Sequence, residues 1–348
     1  MVLGIDEIKE KTEEILKELS RIIIGYDQEI RYVLVSLLGN GHVLLEGVPG
    51  IAKTTLARAL TRLVGLSEKE LRVINGIPYK GFSRIQFTPD LMPGDIVGSL
   101  IYNPKKLDFE PRLGPVFAYI VLADEINRAT PRTQSALLQA MQEREVTIGD
   151  RTYPLENRRF GKFFFVIATQ NPVEQEGTYP LPEAQLDRFM MRIIMGYPAS
   201  LEEEKNILRL HSMKLREPLE ELESVINPEW IIEAQNTIAE KAVVPEETIE
   251  YISRIVRASR PEVVEPMAKY FELGVSPRGG ILLMKAAKAY AAMRGSEVVE
   301  PRDVDAVLFP VLNHRVIPSV DKIIEYGGGF KARLRVIREG LEYLKKFI

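Results

Sequence analysis

Cysteine is absent from the 348 residues, tryptophan occurs once and histidine three times. The first absence excludes a disulfide framework and any thiolate metal site. His42, His211 and His314 are scattered without an HExxH-type spacing, so neither a zinc site nor histidine catalysis is expected. No apolar run approaches the ~18–20 residues that span a bilayer. The opening MVLGIDEIKEKTEEIL is charged and amphipathic where a signal peptide would carry an apolar core, so the cytoplasm is the expected compartment. An excess of one charge is also missing: 46 Lys and Arg stand against 49 Asp and Glu, a net charge of −3. No global field then draws the chain to polyanionic DNA or an acidic membrane, and nucleic acid is not an expected partner. Fixed-period repeats and low-complexity segments are lacking too.

What is present is an ordinary globular balance, 45% hydrophobic and 27% charged, at a length that suits two domains. Ile5, Ile8, Ile15, Leu16 and Leu19, then Ile30, Val33, Leu34, Leu37 and Leu38, recur at helical spacing around a bend at Gly25. Val43 to Leu45 predicts a buried strand, followed by a glycine loop and a helix to about Val64. Further strands are predicted at Ile85 to Thr88, Ala118 to Ala123, Phe163 to Thr169 and Arg192 to Met195, with a helix over Pro131 to Glu145. Such alternation predicts an α/β domain over residues 1–200, a mostly parallel sheet with helices on both faces. Two interruptions, near 95–115 and a hairpin near 146–155 around Gly149-Asp150, read as insertions. Neither interleaves aromatic and basic residues in the manner of a single-strand nucleic-acid binder. After a charged linker helix region over 201–224, residues 225–348 read as a smaller all-helical domain with no convincing strand, and Trp230 as part of its core.

The stretch EGVPGIAKTTL has the character of a phosphate-binding loop, in which successive backbone N–H groups and a helix N-terminus surround phosphate oxygens. Gly47 and Gly50 supply the turn, Lys53 the ammonium and Thr54 a hydroxyl for Mg²⁺. Ala52 stands where the usual pattern has glycine, and at a negative φ in the first helical turn its methyl group would cost little. The apolar strand ending Ala123-Asp124-Glu125 delivers two carboxylates where ligands bind in open α/β sheets. Asp124 would join the metal shell and Glu125 would deprotonate the attacking water; a helix N-cap is the bland alternative. A third strand ends in Gln170-Asn171-Pro172, and the uncharged Asn171 amide could hold the γ-phosphate or the water; a turn-forming Asn before Pro is the alternative.

With GVPGIAKT, VLADEINRATPRTQSALLQAMQE, ATQNPVEQEGTYPLPEAQLDRF and, later, GVSPRG, the chain resembles the MoxR family of AAA+ ATPases over nearly its whole length. The resemblance implies a P-loop AAA+ core with a helical lid, ATP and Mg²⁺ as ligands, and nucleotide contacts along Gly47, Val48, Pro49, Gly50, Ile51, Ala52, Lys53, Thr54 and Thr55. Ala before the loop lysine is common in that family. It further implies a Walker A lysine at Lys53, Walker B acids at Asp124 and Glu125, a first sensor at Asn171, an arginine finger at Arg188 and a second sensor at Arg278. Gly25 and Tyr26 resemble the adenine-side segment, and Asn127 and Arg128 stand where they could couple neighbouring subunits. Arg188 could instead be a surface arginine paired with Asp187 or Glu183. A finger acting in trans implies a homo-oligomeric ring, by analogy a hexamer, while GVSPRG does not say whose nucleotide Arg278 serves. The family's chaperone-like remodelling or maturation of protein complexes, often with partners carrying a von Willebrand factor A domain, is the implied role. A chelatase-type motor subunit, a DNA-translocating motor and a nucleotide-gated scaffold are the alternatives.

Overall fold

The computed structural model describes residues 3–48, 50–172, 177–212 and 218–348. Two helices come first, α1 (Ile5–Ile22) and α2 (Asp27–Leu38), joined through a turn at Gly25. In α1 the buried side chains are Ile5, Ile8, Thr12, Ile15 and Leu19, one stripe at the three- and four-residue spacing of a helix face.

Next come β1 (Val43–Gly47), α3 (Lys53–Leu63), β2 (Leu71–Ile74) and β3 (Ile77–Gln86). The inserted stretch holds α4 (Pro93–Val97), β4 (Gly98–Asn103) and β5 (Asp108–Leu113); then β6 (Ala118–Asp124), α5 (Pro131–Glu143), β7 (Glu145–Ile148), β8 (Arg151–Pro154), β9 (Phe165–Gln170), α6 (Glu183–Leu186) and β10 (Met191–Met195). Among the described residues six strands form one sheet in the order β10-β1-β9-β6-β3-β2, parallel except for the β2–β3 edge. β1 and β6 are buried along their whole length, as strands inside a two-sided sheet are, and the one buried acid of β1, Glu46, is paired with the buried Arg192. β1 lies between strands that follow it in sequence on both sides, so crossovers leave a crevice at the C-terminal strand ends.

The edge corrects the sequence reading. Instead of a strand over 85–88, β3 starts at Ile77 and stops at Gln86, because Asn75 and Gly76, both at positive φ, turn the chain back from β2. Asn-Gly is the favoured pair for such a two-residue turn. The hairpin expected around Gly149-Asp150 is present as β7 and β8. The 95–115 stretch carries a hairpin of its own, β4 and β5, where Tyr102 and Phe109 meet edge to face at 5.5 Å. Both rings are about half exposed and Lys105 and Lys106 sit between them in sequence, so this hairpin does interleave aromatic and basic residues, contrary to the sequence reading.

Beyond α7 (Leu201–Ser212), α8 (Pro228–Lys241), α9 (Glu246–Ala258), α10 (Pro277–Met293) and α11 (Pro301–Leu312) form a helical lid, with α12 (Val320–Glu325) and α13 (Gly329–Leu344) following. One exception to the helix-only expectation is a short antiparallel pair, β11 (Phe271–Leu273) with β12 (Ile317–Pro318). The lid's α8 and α10 pack against α1 and α2, and Trp230 is half-buried against the core.

His42 and His314 are buried and hydrogen-bonded, which agrees with a structural role. His42 Nδ1 accepts the Val166 N–H at 3.1 Å while Nε2 faces the Met141 carbonyl at 3.1 Å. Protonation would set a proton against that N–H, and burial holds the His42 pKa down at about 3. A base with a lowered folded pKa stabilises above its unfolded pKa near 6.5 and loses that contribution as pH falls towards 3. Urea midpoints should therefore fall below pH 6.5, with His42 contributing about 1.4 kcal/mol per pH unit. A His42→Asn variant should show a shallower decline between pH 6.5 and 5.

Candidate active site

The crevice opens into a cleft of about 900 Å³ at the C-terminal ends of β1, β6 and β9. One end is lined by Gly50, Ile51, Ala52, Lys53, Thr54 and Thr55, with Asp124, Glu125 and Asn171 in the same cleft. Parallel pairing of β1 with β9 and of β9 with β6 is what brings these three strand ends, far apart in sequence, into one wall. Gly47 and Val48 do not line it: Gly47 packs so closely on β10 that a Cβ would lie 2.4 Å from the Met195 carbonyl oxygen. Pro49 lies outside the described residues.

Ala52 overturns the expectation of a negative φ. It is left-handed, φ 59 and ψ 16, as the N-cap of α3, which begins at Lys53. The loop reverses through Gly50 at φ 83 and needs a second left-handed residue to aim the helix; a methyl group there costs about 1–2 kcal/mol that glycine would not. The cradle stays open, for a Cβ at Gly50 would meet nothing within 4 Å. An Ala52→Gly variant should bind nucleotide within a few-fold of the parent and be between neutral and about 1 kcal/mol more stable, since the relieved strain matches or exceeds the added chain entropy. Equilibrium unfolding and nucleotide titration check both.

Lys53 Nζ donates to the Gly47 carbonyl at 2.7 Å, and burial lowers its pKa against the opposing pull of Asp124, Glu125 and Glu46. Asp124 accepts from Thr169 Oγ1 at 2.7 Å through Oδ1 and from Arg84 Nη2 at 2.5 Å through Oδ2. Thr169 Oγ1 in turn accepts the Glu125 N–H at 2.9 Å, so one hydroxyl sets both acids. Glu125 is left-handed at φ 55 and ψ 51, a strained conformation for a side-chain-bearing residue. Its Oε2 accepts from Gln86 Nε2 at 3.1 Å and Arg128 Nη1 at 2.9 Å. Glu125 is the N-cap of residues 126–128 without a side-chain capping bond, so the capping alternative fails for it. Asn171 follows β9 into the cleft, its carbonyl accepting from Asn127 Nδ2 at 3.3 Å.

The other end of the cleft is built from Ile22, Ile23, Ile24 and Tyr26 with Tyr197, Ile207, Leu208, His211 and Leu219. Tyr26 is anchored by its hydroxyl, which donates to the Gly196 carbonyl at 2.8 Å; Gly25 shapes the turn without lining the cleft. The sequence reading passed over α7 as a linker, yet it supplies Glu204, Ile207, Leu208 and His211 to this wall. Arg84, Gln86 and Thr169 were passed over as well.

Arg188 and Arg278 lie outside the cleft. Arg278, in the first turn of α10, reaches Asp187 Oδ2 at 3.4 Å. Asp187 Oδ1 also accepts from Arg315 Nε at 2.8 Å, and the buried Arg315 fork serves the carbonyls of Asp187, Phe189, Met190 and Val311. Glu183 faces Arg333 at 3.8 Å. Both acids that could have paired with Arg188 are therefore engaged elsewhere, and Arg188 forms no ion pair among the described residues. Replacing the buried Arg315 by Leu should cost about 2–4 kcal/mol, chiefly from the carbonyls of Phe189, Met190 and Val311 left without that donor, since Asp187 is part-exposed and keeps Arg278; denaturant unfolding reads it.

Comparison with known proteins decides what this geometry belongs to. A model of the ATPase family associated with various cellular activities (AAA) matches residues 42–191, and an AAA lid model matches residues 267–325. The chain is 42% identical to chaperone MoxR1 of Mycobacterium tuberculosis, covering 90% of this chain and 77% of that protein. The chain belongs to the MoxR family of AAA+ ATPases. It is also 31% identical to MoxR of Methylorubrum extorquens over 86% of this chain and 85% of that one. The crystal structure of a proposed ATPase from Cytophaga hutchinsonii superposes with TM-score 0.82 at 38% identity, covering 99% and 96% of the two chains. Membership of this family implies nucleotide binding and ATPase activity, and no helix among the described residues is long and apolar enough to cross a membrane.

Proposed function

We propose that this chain is a Mg²⁺-dependent ATPase that works as a homo-oligomeric ring, a hexamer by family analogy, and remodels or matures protein complexes. The observation that carries the reading is a separation. Lys53, Thr54, Asp124, Glu125 and Asn171 share one cleft, while Arg188 stands apart from it and unpaired among the described residues. A free finger with no target in its own subunit calls for a neighbour's nucleotide, and Arg278, tied to Asp187 beside it, would act on the same neighbour.

The donor set fits ATP and Mg²⁺. Mg²⁺ takes oxygen ligands, usually one or two from protein and the rest from phosphate and water. Thr54 and Asp124 offer a hydroxyl and a carboxylate in the same cleft, and among the described residues no cluster of three or more His, Cys, Asp or Glu competes for the ion. When bound, Mg²⁺ supplies charge neutralisation at the phosphate oxygens. Lys53 leaves the Gly47 carbonyl to meet phosphate, and the backbone N–H groups from Gly50 to Thr54 cradle it. Asn171 orients the water, Glu125 takes its proton, and Arg188 of a neighbour meets the charge that develops.

Protein clients, with a von Willebrand factor A domain as the expected adaptor or client, agree with the chaperone name of a relative. The exposed Tyr102–Phe109 pair with Lys105 favours one other reading, a nucleic-acid-tracking motor, although Lys106 is bound to Glu110 at 2.5 Å. Turnover measured with and without Mg²⁺ and DNA, together with sedimentation in ATP, tests the proposal. Mg²⁺-dependent turnover by an assembled ring, indifferent to DNA, is expected; a monomer hydrolysing at full rate would overturn the ring, and DNA stimulation would favour the motor.

A further inference from the structure

Asp124 carries a cation already, and it comes from a strand that the reaction has not otherwise used. Arg84 and Gln86 project from the same face of β3, two residues apart, and β3 pairs in parallel with β6 so that Gln86 lies beside Asp124. Arg84 donates to Asp124 Oδ2 through Nη2 at 2.5 Å and Nε at 3.1 Å, and through Nη2 to Gln86 Oε1 at 3.0 Å. Thr169 holds the other carboxylate oxygen, so both oxygens of Asp124 are engaged by protein. The two partners differ in exposure: the Asp124 side chain is 12% exposed, that of Arg84 47%, and Arg84 lines the cleft.

We propose that Arg84 is a built-in counter-cation of the metal site: it neutralises Asp124 until a divalent ion arrives with nucleotide, then surrenders Oδ2 and turns into the cleft. This rests on the ATPase reading above. The physical case is an exchange of like for like. A buried carboxylate facing incoming phosphate without a cation would repel it, whereas a guanidinium already in place removes that repulsion. Because Arg84 is half exposed, its pair with Asp124 is weak enough to give way to a divalent ion and strong enough to be felt. Arg84 is therefore a positioning residue. Its departure also withdraws the bond that orients the Gln86 amide against Glu125, which links the state of Asp124 to that of the base.

The consequence is a pair of effects with opposite signs. In Arg84→Met, a fluorescent non-hydrolysable ATP analogue in EDTA should bind about three- to tenfold more weakly, because Asp124 is left bare towards phosphate. Mn²⁺, followed by electron paramagnetic resonance in the presence of saturating analogue, should bind about three- to tenfold more tightly, because nothing competes for Oδ2. Arg84→Lys, which keeps the charge, should stay near the parent in both. Weakening of both affinities together would make Arg84 an ordinary structural or phosphate contact, and any pattern other than opposed shifts overturns the assignment. If the parent protein itself took up neither analogue nor Mn²⁺, the nucleotide-site reading would fall first and this one with it, so the two failures are told apart.

Discussion

Arg188→Ala should bind ATP like the parent and hydrolyse it about 10³- to 10⁵-fold more slowly, the contribution of an arginine that meets transition-state charge. The expectation rests on where the side chain is. Asp187 beside it is held by Arg315 and Arg278, and Glu183 faces Arg333, so removing Arg188 breaks no ion pair among the described residues. Folding stability should accordingly move little, by less than about 0.5 kcal/mol. A finger acting in trans makes a second demand. Mixing Arg188→Ala with Lys53→Ala subunits recreates an intact loop facing an intact finger at roughly a quarter of the interfaces of a randomly mixed ring. Partial recovery of turnover in verified mixed rings is expected, and none would return Arg188 to a role within its own subunit.

Glu125→Gln should leave nucleotide affinity within a few-fold and lower turnover by about 10²- to 10⁴-fold, the range for losing a positioned general base. The amide is nearly isosteric, the backbone features that place the residue remain (the left-handed conformation and the N–H that Thr169 accepts), and its carbonyl oxygen can still accept from Gln86 or Arg128. A change of affinity by orders of magnitude would point to a lost anchor. Unchanged turnover would assign the proton to another group. Because the variant should hold ATP and its ring together, proteins captured with it and released on washing with ADP would name the client.

The legible part of this chain was local. The helical spacing of Ile5, Ile8, Ile15 and Leu19, the continuous apolar run of β6 and the Gly149-Asp150 turn each depend on neighbours within a few residues. The Asn75-Gly76 turn was just as local, and its signal was present but not read, which hid β2. Arg84 could not be found in the same way. Its meaning depends on β3 lying beside β6, a pairing between segments about forty residues apart that no short-range pattern encodes. The same holds for α7, whose charged sequence reads as a linker helix until its apolar side chains line the cleft.

Ala52 divides the two kinds of information most clearly. Residue order and motif determined by themselves that a glycine loop precedes a helix, that two acids and an amide end predicted strands, and that the chain resembles AAA+ ATPases, since these are properties of residue type and order. The tertiary structure decided that Ala52 is left-handed, that Asp124 is shared between Thr169 and Arg84, and that Arg188 and Arg278 lie outside the cleft. Residue order limits which groups are available, but a torsion angle and an ion-pair partner are set by everything that packs around them, and that sum exists only in the folded chain.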